Sequence, residues 1–119
     1  AVAFMANAQH LWYRESILND LGIDVPSTYE EVIAAAEKIK AAGVMPNPYA
    51  GAFKSGWNLG QEFVNMYLGH GGEFFKSGSA QPNVNNEKGV AALNVIKKLT
   101  ELSNPDFLTQ DTNAVKEEW

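Results

Sequence analysis

Cysteine is absent from the 119 residues of the chain. Its absence excludes disulfides and thiolate zinc sites, but it does not separate a cytosolic protein from an exported one. Basic residues are also few, with nine Lys and Arg against fourteen Asp and Glu and a formal net charge of -5. Because nucleic-acid binding needs a positively charged surface, this balance argues against a nucleic-acid partner.

Long apolar runs are missing as well. No stretch approaches the roughly 18 apolar residues of a membrane-spanning helix, and no basic start with an apolar core marks a signal peptide. The chain opens on AVAFMANA without an initiator Met, and its last residues, AVKEEW, follow a helical pattern that no Gly or Pro ends. We therefore expect residues 1–119 to be a single domain cut out of a longer protein.

The overall composition, with 45% apolar and 19% charged residues, is typical of a globular domain. Its periodicity predicts a helix-rich α/β domain. Residues 1–6, AVAFMA, are predicted as a buried strand, whereas a short strand at 50–53 and a small hairpin in the Gly-rich loop 69–85 are left open. Helices are predicted from Leu11 or Trp12 to Leu21, from Tyr29 to about Gly43, from Trp57 to about Leu68, from Asn85 or Asn86 to about Leu102, and from TNAVKEEW onward.

Several of these helices have sharper signals. Overlapping capping boxes, Ser27-x-x-Glu30 and Thr28-x-x-Glu31, predict the start of the second helix, and a left-handed Gly22 ends the first. In the helix after Trp57, the apolar positions Leu59, Phe63, Met66 and Tyr67 are widened by Val64 and Leu68, which predicts a mostly buried helix. The next helix is expected to bury Val90, Leu93, Ile96 and Leu99 on one side.

Catalytic patterns are weak throughout. The adjacent glutamates, such as Glu30 and Glu31, cannot face one another across a substrate, and capping explains them better. His10 and His70 are the only histidines and lack the spacing of metal ligands, and no Gly-x-Ser-x-Gly motif is present. We predict neither an enzyme nor a metal or cofactor site. The loop LGHGGEFF is best explained as a helix end, although its glycines would also let the backbone approach a ligand.

Trp57 is the most interesting aromatic residue. The segment FKSGWNLGQ surrounds it with glycine, an amide and a lysine where a loop becomes a helix. Flat apolar rings beside amides and charges suit a sugar, because rings cover C–H faces and polar groups bind hydroxyls. Core packing of Trp57 is the alternative interpretation.

The order of these features resembles family 1 extracellular solute-binding proteins of ABC importers, through nearly the whole chain. The match lies in LWYRESILNDLGIDVPSTYEEVIAAAEKIKAAG, with Arg14 where Asn is usual and Tyr29 where Trp is usual. It continues in the helix that ends at Gly71 and Gly72, and in the helix that starts near Asn85. The resemblance implies a truncated C-terminal lobe of a two-lobe periplasmic-binding-protein fold of class II type.

The resemblance also implies a function. Two lobes would close over a sugar or oligosaccharide and dock on a membrane permease, with no covalent chemistry. The location would be periplasmic or lipid-anchored at the outer face of the membrane. Some self-association is expected, because excision bares surfaces that meet the missing lobe. A helical interaction module, a small enzyme and a lobe for a peptide or polyamine are the alternatives. The ligand-binding residues carried over from the family are Asn7, His10, Lys54, Trp57, Asn58, Gly71 and Gly72.

Overall fold

Five α-helices carry the regular structure of residues 2–119, which are the residues that the computed structural model describes. A single turn of 3-10 helix lies between the last two, and the only strand pairing in this range is one antiparallel bridge between Phe75 and Pro82. The helices are α1 (Glu15–Asp20), α2 (Tyr29–Ala41), α3 (Trp57–Gly69), α4 (Glu87–Glu101) and α5 (Thr112–Glu118), with the 3-10 turn at Phe107–Thr109.

The start of α2 confirms one of the two predicted capping boxes. The Thr28 hydroxyl accepts from the backbone N–H of Glu31, and the Glu31 carboxylate accepts in return from the backbone N–H of Thr28 at 3.2 Å. The backbone N–H and the hydroxyl of Ser27 also donate to Glu31, at 2.7 and 2.8 Å. Ser27 therefore joins the Glu31 box, and the predicted pairing of Ser27 with Glu30 is wrong.

The core lies where α3 packs on α4, and α2 also contacts α4 and contributes Ile33 and Ala36 to the same core. Its fully buried large side chains are Phe53, Met66, Tyr67 and Leu99. Phe63 stacks on Tyr67 with ring centroids 5.7 Å apart, and Phe74 meets the same ring edge-on at 5.3 Å. Tyr67 therefore packs with aromatic rings on two sides at the centre of the core.

The N-terminal prediction is wrong within the described residues. Residues 2–6 form no strand, and Val2, Phe4 and Met5 are exposed instead of buried. A strand needs a partner for its backbone groups, and nothing in residues 2–119 pairs with this segment. Residues 2–13, named the arm below, are exposed throughout. The radius of gyration of 16.0 Å accordingly exceeds the roughly 13.5 Å of a compact chain of this length.

Other predictions hold or shift by a few residues. Helix α3 and the helical start of the C-terminal segment are confirmed, as is the left-handed Gly22 at a φ of 60° after α1. The bridge between Phe75 and Pro82 confirms a small hairpin, whereas no strand forms at residues 50–53. Helix α1 begins at Glu15, later than predicted. Helix α3 is less buried than predicted, because Val64 and Leu68 are exposed.

Candidate functional site

The first turn of α3 presents Trp57 to solvent. The helix follows Gly56, whose φ of 101° is a conformation that side chains rarely adopt, and Trp57 is 77% exposed. This exposure excludes core packing of Trp57 within the chain. A large flat ring on the surface, next to Asn58, is available to stack on a ligand.

Lys54 and Asn58 hold the start of α3 against the start of α5. The Lys54 ammonium lies 3.1 Å from the Asp111 carboxylate, and the hydroxyl of Thr112 donates to Asn58 Oδ1 at 3.2 Å. The backbone N–H of Ala114 and then Lys54 lower the pKa of Asp111 below its ordinary value. An ammonium has three donors, so Lys54 keeps two for another partner beside this ion pair.

A polar stripe, Asn58, Glu62 and Asn65, runs along one face of α3 at i, i+4 and i+7 spacing. Asn65 Nδ2 donates to the Tyr29 hydroxyl at 2.8 Å, which connects the stripe to α2. Burial raises the pKa of Glu62 above its ordinary value. The pKa values of Tyr29 and Tyr49 are raised as well, mainly by burial and secondly by the negative charge of Glu62. Glu62 therefore lies among aromatic hydroxyl groups in a partly dry environment.

The arm reaches this stripe through Gln9. Its side-chain amide donates to Glu62 Oε1 at 3.3 Å, across 53 residues of sequence. Asn7 and His10, the two arm residues predicted to bind ligand, are exposed. In an extended chain, side chains alternate, so Asn7 would lie on the same side as Gln9 and His10 on the opposite side. The sequence prediction missed Gln9 and Glu62. For Gln9, the available signal was its position two residues after Asn7, which places both side chains on the same side of an extended chain.

Gly71 and Gly72 end α3 in a Schellman turn. The backbone N–H of Gly72 donates to the Tyr67 carbonyl at 2.8 Å, that of Gly71 donates to the Leu68 carbonyl at 2.9 Å, and Gly71 has a φ of 72°. The Lys88 ammonium donates to the Gly71 carbonyl. This geometry confirms the interpretation of the turn as a helix end.

Five of the seven predicted ligand-binding residues fall at two ends of one helix. Lys54, Trp57 and Asn58 lie at the start of α3, whereas Gly71 and Gly72 follow its last residue. At 1.5 Å per residue, the thirteen residues of α3 separate these ends by about 20 Å. A small ligand at Trp57 therefore does not reach the glycine turn.

Two shallow cavities of the described residues lie away from Trp57. One of about 430 Å³ lies near the glycine turn and is lined by Glu73, Asn83, Asn86, Glu87 and Lys88. An apolar one of about 240 Å³ lies between Phe63, Val84 and the exposed side of α4.

Within residues 2–119, no three His, Asp or Glu side chains are gathered as metal ligands. No helix there is long and apolar enough to cross a bilayer.

Comparison with known proteins defines the class. Residues 2–119 match the family model described as bacterial extracellular solute-binding protein. The match covers all of the described residues, which include the cap of α2, the whole of α3 and the glycine turn. The chain therefore belongs to the bacterial extracellular solute-binding protein family.

Particular relatives are more distant. The chain is 35% identical over 105 residues to an uncharacterized ABC transporter extracellular-binding protein of Pyrococcus horikoshii, covering 83% of the chain and 23% of that protein. It is 26% identical over 107 residues to a probable sugar-binding periplasmic protein of Mesorhizobium japonicum, covering 87% and 25%. No solved structure matches the chain significantly. The chain thus spans about a quarter of the length of these relatives.

Proposed function

We propose that the chain is the C-terminal lobe of a two-lobe protein that binds a carbohydrate outside the cytoplasm and delivers it to the permease of an ABC importer. The protein would be periplasmic or lipid-anchored, and binding would involve no catalysis. The observation that carries the proposal is the exposed ring of Trp57, whose sequence neighbour Asn58 begins the polar stripe. Membership of the family supports the transport role, and the name of the Mesorhizobium relative supports a sugar.

Each predicted residue has a role in this proposal. Trp57 would cover one face of a sugar ring, and the remaining donors of Lys54 and the amide of Asn58 would bind its hydroxyls. Asn7 and His10 would approach from the arm. Gly71 and Gly72, about 20 Å from Trp57, would contact a ligand only if it extends along α3.

A cationic solute, such as a polyamine, is the second candidate. The observation that favours it is Glu62, a half-buried carboxylate that forms no ion pair within residues 2–119, in a chain of net charge -5. A buried carboxylate attracts an ammonium group as well as a hydroxyl, so one titration must compare the two classes.

The three tryptophans, at positions 12, 57 and 119, allow a test by NMR on the 119-residue chain. Each indole N–H of the ¹⁵N-labelled protein gives its own signal. We expect maltose or maltotriose to shift the Trp57 signal and to leave that of Trp119 unchanged. Spermidine at matched ionic strength serves as the cationic probe. A shift with spermidine alone would establish the second candidate, and no Trp57 shift with any probe in the protein of full family length would refute both.

A variant pair tests the same ring by affinity. Trp57→Ala removes a ring whose stacking and burial contribute about 1–3 kcal/mol, so we expect sugar binding to weaken by at least fivefold. Trp119→Ala is the control, because Trp119 is also an exposed tryptophan but lies outside the site. Calorimetry on the protein of full family length, with the bound sugar from the NMR experiment, gives the two dissociation constants. Equal effects of the two substitutions would remove Trp57 from the site.

A further inference from the structure

Glu62 is a carboxylate with unused hydrogen-bonding capacity. An ionised carboxylate accepts about four hydrogen bonds, yet the residues of the described chain supply a single one, from Gln9. That bond is 3.3 Å long, whereas bonds to a charged acceptor are typically about 2.7–2.9 Å. Glu62 is half-buried, but its carboxylate oxygens are not among the buried atoms that lack a partner, so its remaining acceptor positions are accessible to water and to a ligand.

The neighbours of Glu62 do not complete its partners. The only ion pair in residues 2–119 is that of Lys54 with Asp111, and the amide of Asn65 is directed to the Tyr29 hydroxyl. Glu62 nevertheless lies one helical turn from Asn58, on the same face of α3. Its free acceptor positions are therefore next to the proposed ligand site and open toward the arm.

Gln9 makes the only side-chain hydrogen bond between the arm and the rest of the described chain, and no backbone hydrogen bond supports it. A single amide donor on an exposed segment is easily exchanged for another donor. A sugar hydroxyl is a donor of the same kind, and two neighbouring hydroxyls match the two oxygens of a carboxylate.

We propose that Glu62 is the specificity-determining acceptor of the site, which selects solutes with adjacent hydroxyl donors, and that Gln9 holds the position that a ligand hydroxyl takes. The inference rests on the proposed function as a carbohydrate-binding lobe. It adds a consequence, because the ligand then competes with Gln9 for the Glu62 carboxylate. Binding releases Gln9 from Glu62 and leaves Asn7 and His10 of the arm to approach the ligand.

Three variants of the 119-residue chain test this, with the shift of the Trp57 indole signal as the measure of maltotriose or maltose binding. Glu62→Gln keeps the shape but loses the charge, and we expect about tenfold weaker binding. Gln9→Ala removes the competitor, and we expect about threefold tighter binding. In the double variant the benefit of Gln9→Ala should disappear, because its competition acts only through Glu62. Glu37→Gln, an exposed carboxylate on α2, is the control and should leave the affinity unchanged.

The outcomes separate this inference from the proposed function. If the sugar shifts Trp57 equally in the parent chain and in Glu62→Gln, the inference fails and the proposed function stands. Weaker binding by Gln9→Ala would also overturn it, since Gln9 would then bind the ligand itself. A protein of full family length that binds no sugar refutes both. Circular dichroism melting of Glu62→Gln excludes unfolding as the cause, because the neutral side chain should melt at the same temperature or higher.

Discussion

Gly72 lies so close to the buried ring of Tyr67 that a Cβ atom on Gly72 would come within 2.5 Å of ring carbons. The hydroxyl group of Tyr67 lies 2.9 Å from the Glu73 carbonyl oxygen and 2.8 Å from the Asn83 carbonyl oxygen. It also accepts a hydrogen bond from the Asn86 side-chain amide at 3.0 Å. Tyr67 thus joins the end of α3, the hairpin and the start of α4 at one point. The glycine turn is required for packing, whatever its contact with a ligand.

Gly72→Ala should therefore destabilise the chain by about 1–3 kcal/mol, because the added methyl group displaces a ring that is fully enclosed. Gly60→Ala is the matched control within α3. A Cβ at Gly60 meets nothing within 4 Å, so alanine there should stabilise the helix by about 0.5–1 kcal/mol. Urea unfolding followed by circular dichroism gives both values. Destabilisation by both substitutions to the same extent would contradict the close approach to Tyr67.

Tyr67→Phe tests the hydroxyl separately from the ring. The ring stays in place, but the carbonyls of Glu73 and Asn83 lose a donor in a buried place, which costs about 1–3 kcal/mol. Tyr13→Phe is the control, because Tyr13 is exposed and makes no hydrogen bond within the described residues. We expect a lower melting temperature only for Tyr67→Phe. Amide exchange should also quicken in the hairpin around Phe75, which would not occur if the hydroxyl were dispensable.

The starts of α2 and α4 were predictable because their signals are local. The Thr28 box and the Asn86 cap each depend on residues within one turn, and both are present. The buried side of α4 was not predictable in the same way. Steps of three residues turn by 300°, so Val90 and Leu99 lie on opposite sides of a helix. The structure buries Leu99 and leaves Val90 and Leu93 each 56% exposed, so the predicted single apolar side of α4 is wrong.

Glu62 was missed for a related reason. From the sequence, Glu62 is an ordinary acidic residue on an amphipathic helix, and such residues usually face the solvent. Its burial comes from distant parts of the chain, and its one described hydrogen-bond partner is Gln9 in the arm. Trp57 was recognisable as a candidate ligand-binding residue because the glycine, asparagine and lysine around it are close to it in sequence. The predicted strand at residues 1–6 failed because pairing depends on a partner strand that a local apolar pattern does not reveal.

Thr28→Ala should destabilise the chain by about 1 kcal/mol, since it leaves the backbone N–H of Glu31 without its acceptor at the start of α2. Ser27→Ala is the matched control. The Ser27 hydroxyl donates to Glu31 but does not accept from a helical N–H, so its removal should have a clearly smaller effect. Urea unfolding midpoints with an unchanged slope measure the two changes. A larger effect of Ser27→Ala would show that the carboxylate of Glu31, and not the Thr28 hydroxyl, begins the helix.

The pH dependence of stability should reveal the burial of Glu62. Because burial raises the pKa of Glu62 above 4.5 in the folded chain, the folded state favours the protonated form. This contribution to stability is fully present below the ordinary pKa and is lost as the pH rises through the raised one. Glu62→Gln is always neutral, so its stability relative to the parent chain should increase between about pH 4 and pH 7.

The comparison with the parent chain isolates this effect. Glu31 and Asp111 have lowered pKa values, mainly through backbone N–H donors from Ser27 and Ala114. Their stabilisation is lost as the pH falls, which is the opposite direction, but both residues are present in the two proteins and their contributions cancel. Urea unfolding of both chains at four pH values gives the difference curve. A flat curve would mean that Glu62 is as well solvated in the folded state as in the unfolded one, and a falling curve would mean that the folded chain favours its charge.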